Sequence, residues 1–156
     1  MLIAQISDCH IRDQGGSFAR LVDTTETLRR VVDHLVGLDP APDVILATGD
    51  LTDDGTASQY ATLLDVLTPI AGRRLPIPGN HGECPLFRWA FADVLPGNLA
   101  DDHGSYVIED HPVRLVGLDN SIPGRHDGRF DPVRERWLDD VLAADPDRPT
   151  LVFTHF

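Results

Sequence analysis

Asp8 and His10 in "ISDCH", Asp50 in "ATGDLTDD" and Asn80 with His81 in "IPGNHGE" share one feature: each polar group closes an apolar run. His155 repeats the pattern in "TLVFTHF". Carboxylates, imidazoles and an amide make a mixed oxygen and nitrogen donor set, suited to Mn, Fe, Zn or Co rather than to Ca or Mg. One carboxylate can also bridge two cations about 3.5–4 Å apart, the arrangement for in-line attack on phosphorus. Singly, each fragment reads as an ordinary feature: Asp-x-His as a solvated loop, Gly-Asp as a turn, Gly-Asn-His as a turn with a left-handed Asn. In order, each at a strand end, they read as one site. Asp8 and His10 lie two apart, so an extended segment would point both the same way.

The elements that must position these groups alternate in type. "LIAQIS" (2–7) and "DVILATGD" (43–50) read as buried strands, and "RLPIPGNH" as a third whose prolines make it short. Between them, Leu28, Val31, Val32 and Leu35 recur at helical spacing after a capping box of Asp23 and Glu26. Thr56 and Gln59 form a second capping box ahead of Tyr60, Leu63, Leu64 and Leu67. Pro85 opens a third helix predicted to run through Leu95. "SYVIEDHPVRLVGLD" reads as a hairpin turning at Asp110-His111-Pro112. Asp131 caps a last helix with Pro132 in its first turn and Trp137, Leu138, Val141 and Leu142 on its inner face. "TLVFTHF" reads as one more apolar strand. Strands alternating with helices predict an α/β sandwich with one added hairpin, and in such sheets sites collect at the carboxyl ends of the strands.

At 156 residues the chain fits one domain, with no internal repeat or linker. Its formal charge of −12, from 25 acids against 13 bases, opposes binding to nucleic acid polymers and anionic membranes. Two cysteines give no disulfide framework, and no run approaches the length of a membrane span. With no signal peptide in "MLIAQISD", the expected location is cytoplasmic. His103, His111 and His126 fall in loops and read as solvated. Cys9 reads as a packing residue.

Asp8-x-His10, Gly49-Asp50-x-x-Asp53, Gly79-Asn80-His81 and His155 together resemble the calcineurin-like metallophosphoesterases, over nearly the whole chain. Leu118-Asp119, Gly128, Trp137-Leu138 and Leu142 further resemble the branch of cyclic-nucleotide phosphodiesterases and glycerophosphodiesterases. The resemblance implies a metallophosphoesterase-type α/β sandwich of mixed sheets flanked by helices. It also implies two divalent or trivalent ions (Mn, Fe, Zn or Co), with Asp8 and His10 on the first, Asp50 bridging, and Asn80 and His155 on the second. His81 would act outside the ligand shell, near the leaving group, as the catalytic residue. Asn80, His81, Arg125 and His126 would meet the phosphate. The implied activity is hydrolysis of a small-molecule phosphodiester by a metal-bound hydroxide. A phosphomonoesterase shares the same metal core.

Three positions depart from the family pattern. Gly82 stands where an acid usually follows Asn-His, with Glu83 beside it, and Phe156 follows His155 where the branch repeats His. The family's later Gly-His-x-His motif is missing, so residues 1–156 are expected to be the N-terminal portion of the domain. A non-catalytic fragment with weak metal binding, or a homo-oligomer formed through the last strand, is the competing expectation.

Overall fold

The computed structural model describes residues 1–13, 22–81, 84–97, 99–100, 103–122 and 124–156. β1 (Ile3–Ile6), β2 (Val44–Thr48) and β3 (Arg73–Ile77) form a parallel sheet in that order. β2 lies in the middle and is buried at every position, as a run of apolar residues in a two-sided environment should be. Its pleat divides the core. Ile45 and Ala47 pack among Leu28, Val32 and Leu35 of α1 (Thr24–Val36) and Tyr60 and Leu63 of α2 (Ala57–Leu67). Val44 and Leu46 face the other way and join a second core. There Leu75 and Ile77 of β3 meet Tyr106 and Ile108 of β4 (Tyr106–Ile108), Leu115 of β5 (Arg114–Gly117) and Phe153 of β6 (Thr150–Phe153).

The second sheet runs β4-β5-β6, antiparallel in the hairpin and parallel between β5 and β6. The Tyr106 hydroxyl donates to the Pro76 carbonyl at 2.7 Å and so ties the two sheets through the core. Arg114, buried on the outer face of β5, donates to the carbonyls of Val141 (2.7 Å) and Asp145 (3.2 Å). A guanidinium is well suited to carbonyls at the end of α4 (Pro132–Ala144). The result is an α/β sandwich: helices, sheet, sheet, helix. Among the described residues, no helix is long and apolar enough to cross a membrane.

The caps form as the sequence predicts. Asp23, Thr56 and Asp131 each accept a backbone N–H three residues on. Neither capping box closes reciprocally, because Glu26 pairs with Arg30 and Gln59 accepts from Asp54 N at 2.8 Å instead. Three expectations need correction. α3 (Cys84–Ala90) ends before Leu95, and 91–95 continue as turns. Pro96 disfavours helical backbone at Leu95, while Phe91 anchors the turns against Tyr60. β1 and β6 are sheet edges in which only Ile6 and Phe153 are buried, so an apolar run did not imply burial on both faces. On α4, Trp137, Leu138 and Val141 are half-buried, but Leu142 is exposed, because the helix rests on β5 through Arg114 rather than through a broad apolar stripe.

Candidate metal centre

The segments after β1 and β2 are laced together, and that places the polar groups. Asp8 N donates to Gly49 O, His10 N to Asp50 O, Ile11 N to Leu51 O, and Asp53 N back to Ile11 O, all at 2.9–3.1 Å. The lacing needs unusual backbone. Asp8, His10 and Asp50 have φ of 54°, 42° and 48°, a left-handed region that disfavours side chains. Strain of this kind concentrates at functional sites. The expectation of an extended Asp8-x-His10 is therefore corrected: hydrogen bonding to the 49–51 segment winds the backbone. Nor is Asn80 left-handed, whereas Asp8, His10 and Asp50 are.

Asp50 lies at the centre and is buried. Its Oδ1 accepts the His81 backbone N–H at 3.0 Å. Its Oδ2 lies 3.4 Å from His155 Nε2 and 3.9 Å from His10 Nε2. Asp8 Oδ1 is 4.0 Å from the same His10 nitrogen. The other nitrogen of each ring is committed. His155 Nδ1 donates to Thr48 O at 3.0 Å, and His81 Nδ1 to Asp53 O at 2.7 Å, since a carbonyl can only accept. His10 Nδ1 lies 3.1 Å from the Asp53 carboxylate. The Nε2 atoms of His10 and His155 thus face carboxylate oxygens, acceptor against acceptor. Such an arrangement is satisfied by a cation between them. Among the described residues, two groups have ligand atoms within 4.8 Å of one another: Asp8, Asp50 and His155, and His10, Asp53 and His81.

The remaining predicted residues divide. Asn80 Nδ2 lies 2.9 Å from His126 Nδ1, which commits the amide nitrogen and not its oxygen. The His81 ring is 4.9 Å from that of His10 and 5.9 Å from that of His126. Loop residue His126 is thus drawn to the centre. Arg125 is not: it makes a bidentate pair with Asp127 at 2.7 and 2.8 Å, the nearest carboxylate its short loop offers. Gly82 and Glu83 lie outside the described residues. Cys9 packs against the first core, and its thiol is pushed up to about 12 by burial and by the charge of Asp8, which leaves it inert. Asp53 and Arg12 had no role from sequence. Burial opposes the charged form of Asp53, but the hydrogen bonds and charges of Arg12 and His10 hold its carboxyl below the usual range.

His103 is a further correction: it is buried, 2.6 Å from Ser105 Oγ, with its ring edge-on to Trp137. It belongs to a polar network around Asp119, whose Oδ1 accepts from Ser121 N (2.9 Å) and Ser121 Oγ (2.6 Å). Burial raises the Asp119 carboxyl, and the Ser121 hydrogen bonds and the Arg134 and His103 charges only partly offset it. A raised folded pKa means stability that is full below the unfolded value of about 3.9 and lost as pH rises through the folded value. Asp119→Asn keeps an acceptor for Ser121 and removes the ionisation. Its melting temperature is expected to exceed the parent's at about pH 7.5 and to lose that advantage near about pH 4. A variant that melts lower at both pH values overturns this account.

Two sheets flanked by helices, with carboxylates, imidazoles and an amide gathered at strand ends, define a metallophosphoesterase-type protein. The chain belongs to the calcineurin-like phosphoesterase (Metallophos) family, whose profile matches residues 1–156. That family uses divalent metals, and the groups around Asp50 are candidate ligands for them. Among curated relatives, the "Probable glycerophosphodiester phosphodiesterase GpdQ" of Arcobacter nitrofigilis is 34% identical over 155 residues, covering 99% of this chain and 56% of that protein. The "Glycerophosphodiester phosphodiesterase GpdQ" of Enterobacter lignolyticus is 32% identical, with coverage of 99% and 56%. The "3',5'-cyclic adenosine monophosphate phosphodiesterase CpdA" of Pseudomonas aeruginosa is 30% identical, with coverage of 99% and 54%. The chain thus spans about half the length of the curated relatives it matches. The crystal structure of TT1561 of Thermus thermophilus shares the fold, with a TM-score of 0.55 at 19% identity over 96% of this chain and 65% of that one.

Proposed function

We propose that the protein is a metal-dependent phosphodiesterase acting on small diesters of the glycerophosphodiester or cyclic-nucleotide kind. In this reading Asp8 and His10 would hold one cation, Asn80 and His155 would hold a second, and Asp50 would serve both. The observation that carries it is Asp50, a buried carboxylate with imidazole Nε2 atoms at 3.4 and 3.9 Å whose rings are held from the opposite side. The names of the GpdQ and CpdA relatives support the substrate class.

When bound, the cations would supply Lewis-acid charge and an activated water. The chain's own groups do the rest. The Thr48 carbonyl keeps a hydrogen on His155 Nδ1 and so keeps Nε2 as the donor atom. His81, with Nδ1 committed to Asp53 O, offers only Nε2 to a substrate. Protonated there, it can donate to a phosphoryl or leaving oxygen as charge develops. His126 stands beside both Asn80 and His81, where a second phosphate oxygen would lie.

The test is hydrolysis of bis(p-nitrophenyl) phosphate and of p-nitrophenyl phosphate in excess Mn²⁺, with an EDTA-treated control. Faster turnover of the diester, lost in EDTA, is the expected result. Preference for the monoester would move the reading to a phosphomonoesterase, and EDTA-resistant turnover would end it.

A further inference from the structure

A polar cleft of about 410 Å³ opens between α1 and α2, and none of the proposed metal ligands lines it. Its walls follow from helical spacing. On α1, Thr25 and Arg29 are four apart and share a flank; on α2, Ala61 and Asp65 do the same, with Thr62 beside them. Leu28, Val32, Tyr60 and Leu63 of the same helices are buried in the first core, which fixes α1 and α2 and with them the spacing of the two flanks. Ala61 adds only a methyl group to its wall, and the volume falls in the range of small-molecule sites.

The charged groups of this cleft are of two kinds. The Arg12 guanidinium is engaged by Asp53, at 2.8 and 3.3 Å. The Asp13 carboxylate accepts from Ser58 Oγ at 2.7 Å and from Gln59 Nε2 at 3.3 Å. Arg29 and Asp65 differ: among the described residues neither side chain has a hydrogen bond or an ion pair, although they carry opposite charges on the two walls of one cleft. A direct pair across it would gain little, because side chains lose rotamer freedom for a contact that water screens. A simple anion would meet Arg29 but also the carboxylates of Asp13 and Asp65, and a simple cation would meet the guanidiniums. A molecule with both charges satisfies both walls at once. We infer that this cleft is a binding site for a small zwitterion of the amino-acid kind, its carboxylate on the Arg29 guanidinium and its ammonium on the Asp65 carboxylate. The Thr62 hydroxyl, which donates to Ser58 O at 3.0 Å, keeps its lone pairs for the ammonium.

The test is NMR titration of the ¹⁵N-labelled protein with β-alanine, γ-aminobutyrate and 5-aminovalerate, which step the separation of the charges, and with butyrate and butylammonium, which carry one charge each. At least one of the amino acids is expected to saturate, with amide shifts centred on 25–29 and 61–65. Butyrate and butylammonium are expected to bind about tenfold more weakly or worse, because each lacks one charge-assisted contact. Arg29→Gln and Asp65→Asn are expected to weaken the amino acid by a similar factor. Ala61→Phe keeps every charge and fills the cleft, and it is expected to abolish the shifts. Saturation by none of the amino acids overturns the inference. So does binding that survives both charge variants or Ala61→Phe, which would place the ligand elsewhere, and so does butyrate or butylammonium binding as tightly as the amino acid.

Discussion

Asp50→Asn is expected to lower Mn²⁺-dependent diester hydrolysis by about a thousandfold or more, while the variant melts at the parent's temperature or above it in EDTA. The first half follows from charge. A bound cation offers several kcal/mol of transition-state stabilisation, and each 1.36 kcal/mol is about tenfold in rate. In the proposed reading, an amide in place of this carboxylate weakens both sites at once. The second half follows from hydrogen bonding. The amide oxygen still accepts from His81 N, where Oδ1 accepts now at 3.0 Å. The amide NH₂ replaces Oδ2 and faces His155 Nε2, 3.4 Å away, so an acceptor opposed to an acceptor becomes a donor to one. Paired kinetics and thermal melts check both halves. Retained activity would remove Asp50 from the centre, and a collapse in metal-free stability would make it a structural residue.

The strand-end pattern was legible because it depends on local chemistry and topology. Polar residues closing the three apolar runs, which became β1, β2 and β3, had to meet at one end of a parallel sheet. His155 was legible for the same reason, although it arrives from the other sheet, after β6, and reaches the carbonyl of Thr48 at the end of β2. The division of β2 between two cores was implicit in its alternation once sheets were expected on one side and helices on the other.

What sequence did not reveal depends on pairings between loops. Asp53 lies 41 residues from Arg12 and 43 from His10, and no periodicity links such positions. The Gly-Asp-x-x-Asp spacing flagged the residue without giving it a partner. Arg125 and His126 are neighbours in sequence with equal claim on a phosphate, yet the loop turns one toward Asp127 and the other toward Asn80. His103 reads as a solvated loop residue until Trp137 of α4 and Ser105 close over it. In each case a tertiary contact decides, and composition is silent.

Gly79→Ala is expected to destabilise the fold by about 1–3 kcal/mol and to lower Mn²⁺ affinity with it. The reason is a close approach. A Cβ built on Gly79 would lie 2.1 Å from Asp50 Oδ1 and 2.4 Å from Asp50 N. Side-chain rotation could relieve the first contact but not the second, because the backbone of Asp50 is fixed between its own left-handed φ of 48° and the bond from His10 N to Asp50 O. The end of β3 must therefore move away from the end of β2. That motion carries Asn80 off the site and breaks the His81 N–Asp50 Oδ1 bond. Gly97 supplies the control, since a Cβ there meets nothing within 4 Å. Chemical denaturation and Mn²⁺ titration of both variants measure the effect. A Gly79→Ala protein that loses stability but keeps metal affinity would mean that the site does not depend on the β2–β3 junction; loss of both, with Gly97→Ala unchanged, ties the site to contact between the two strand ends.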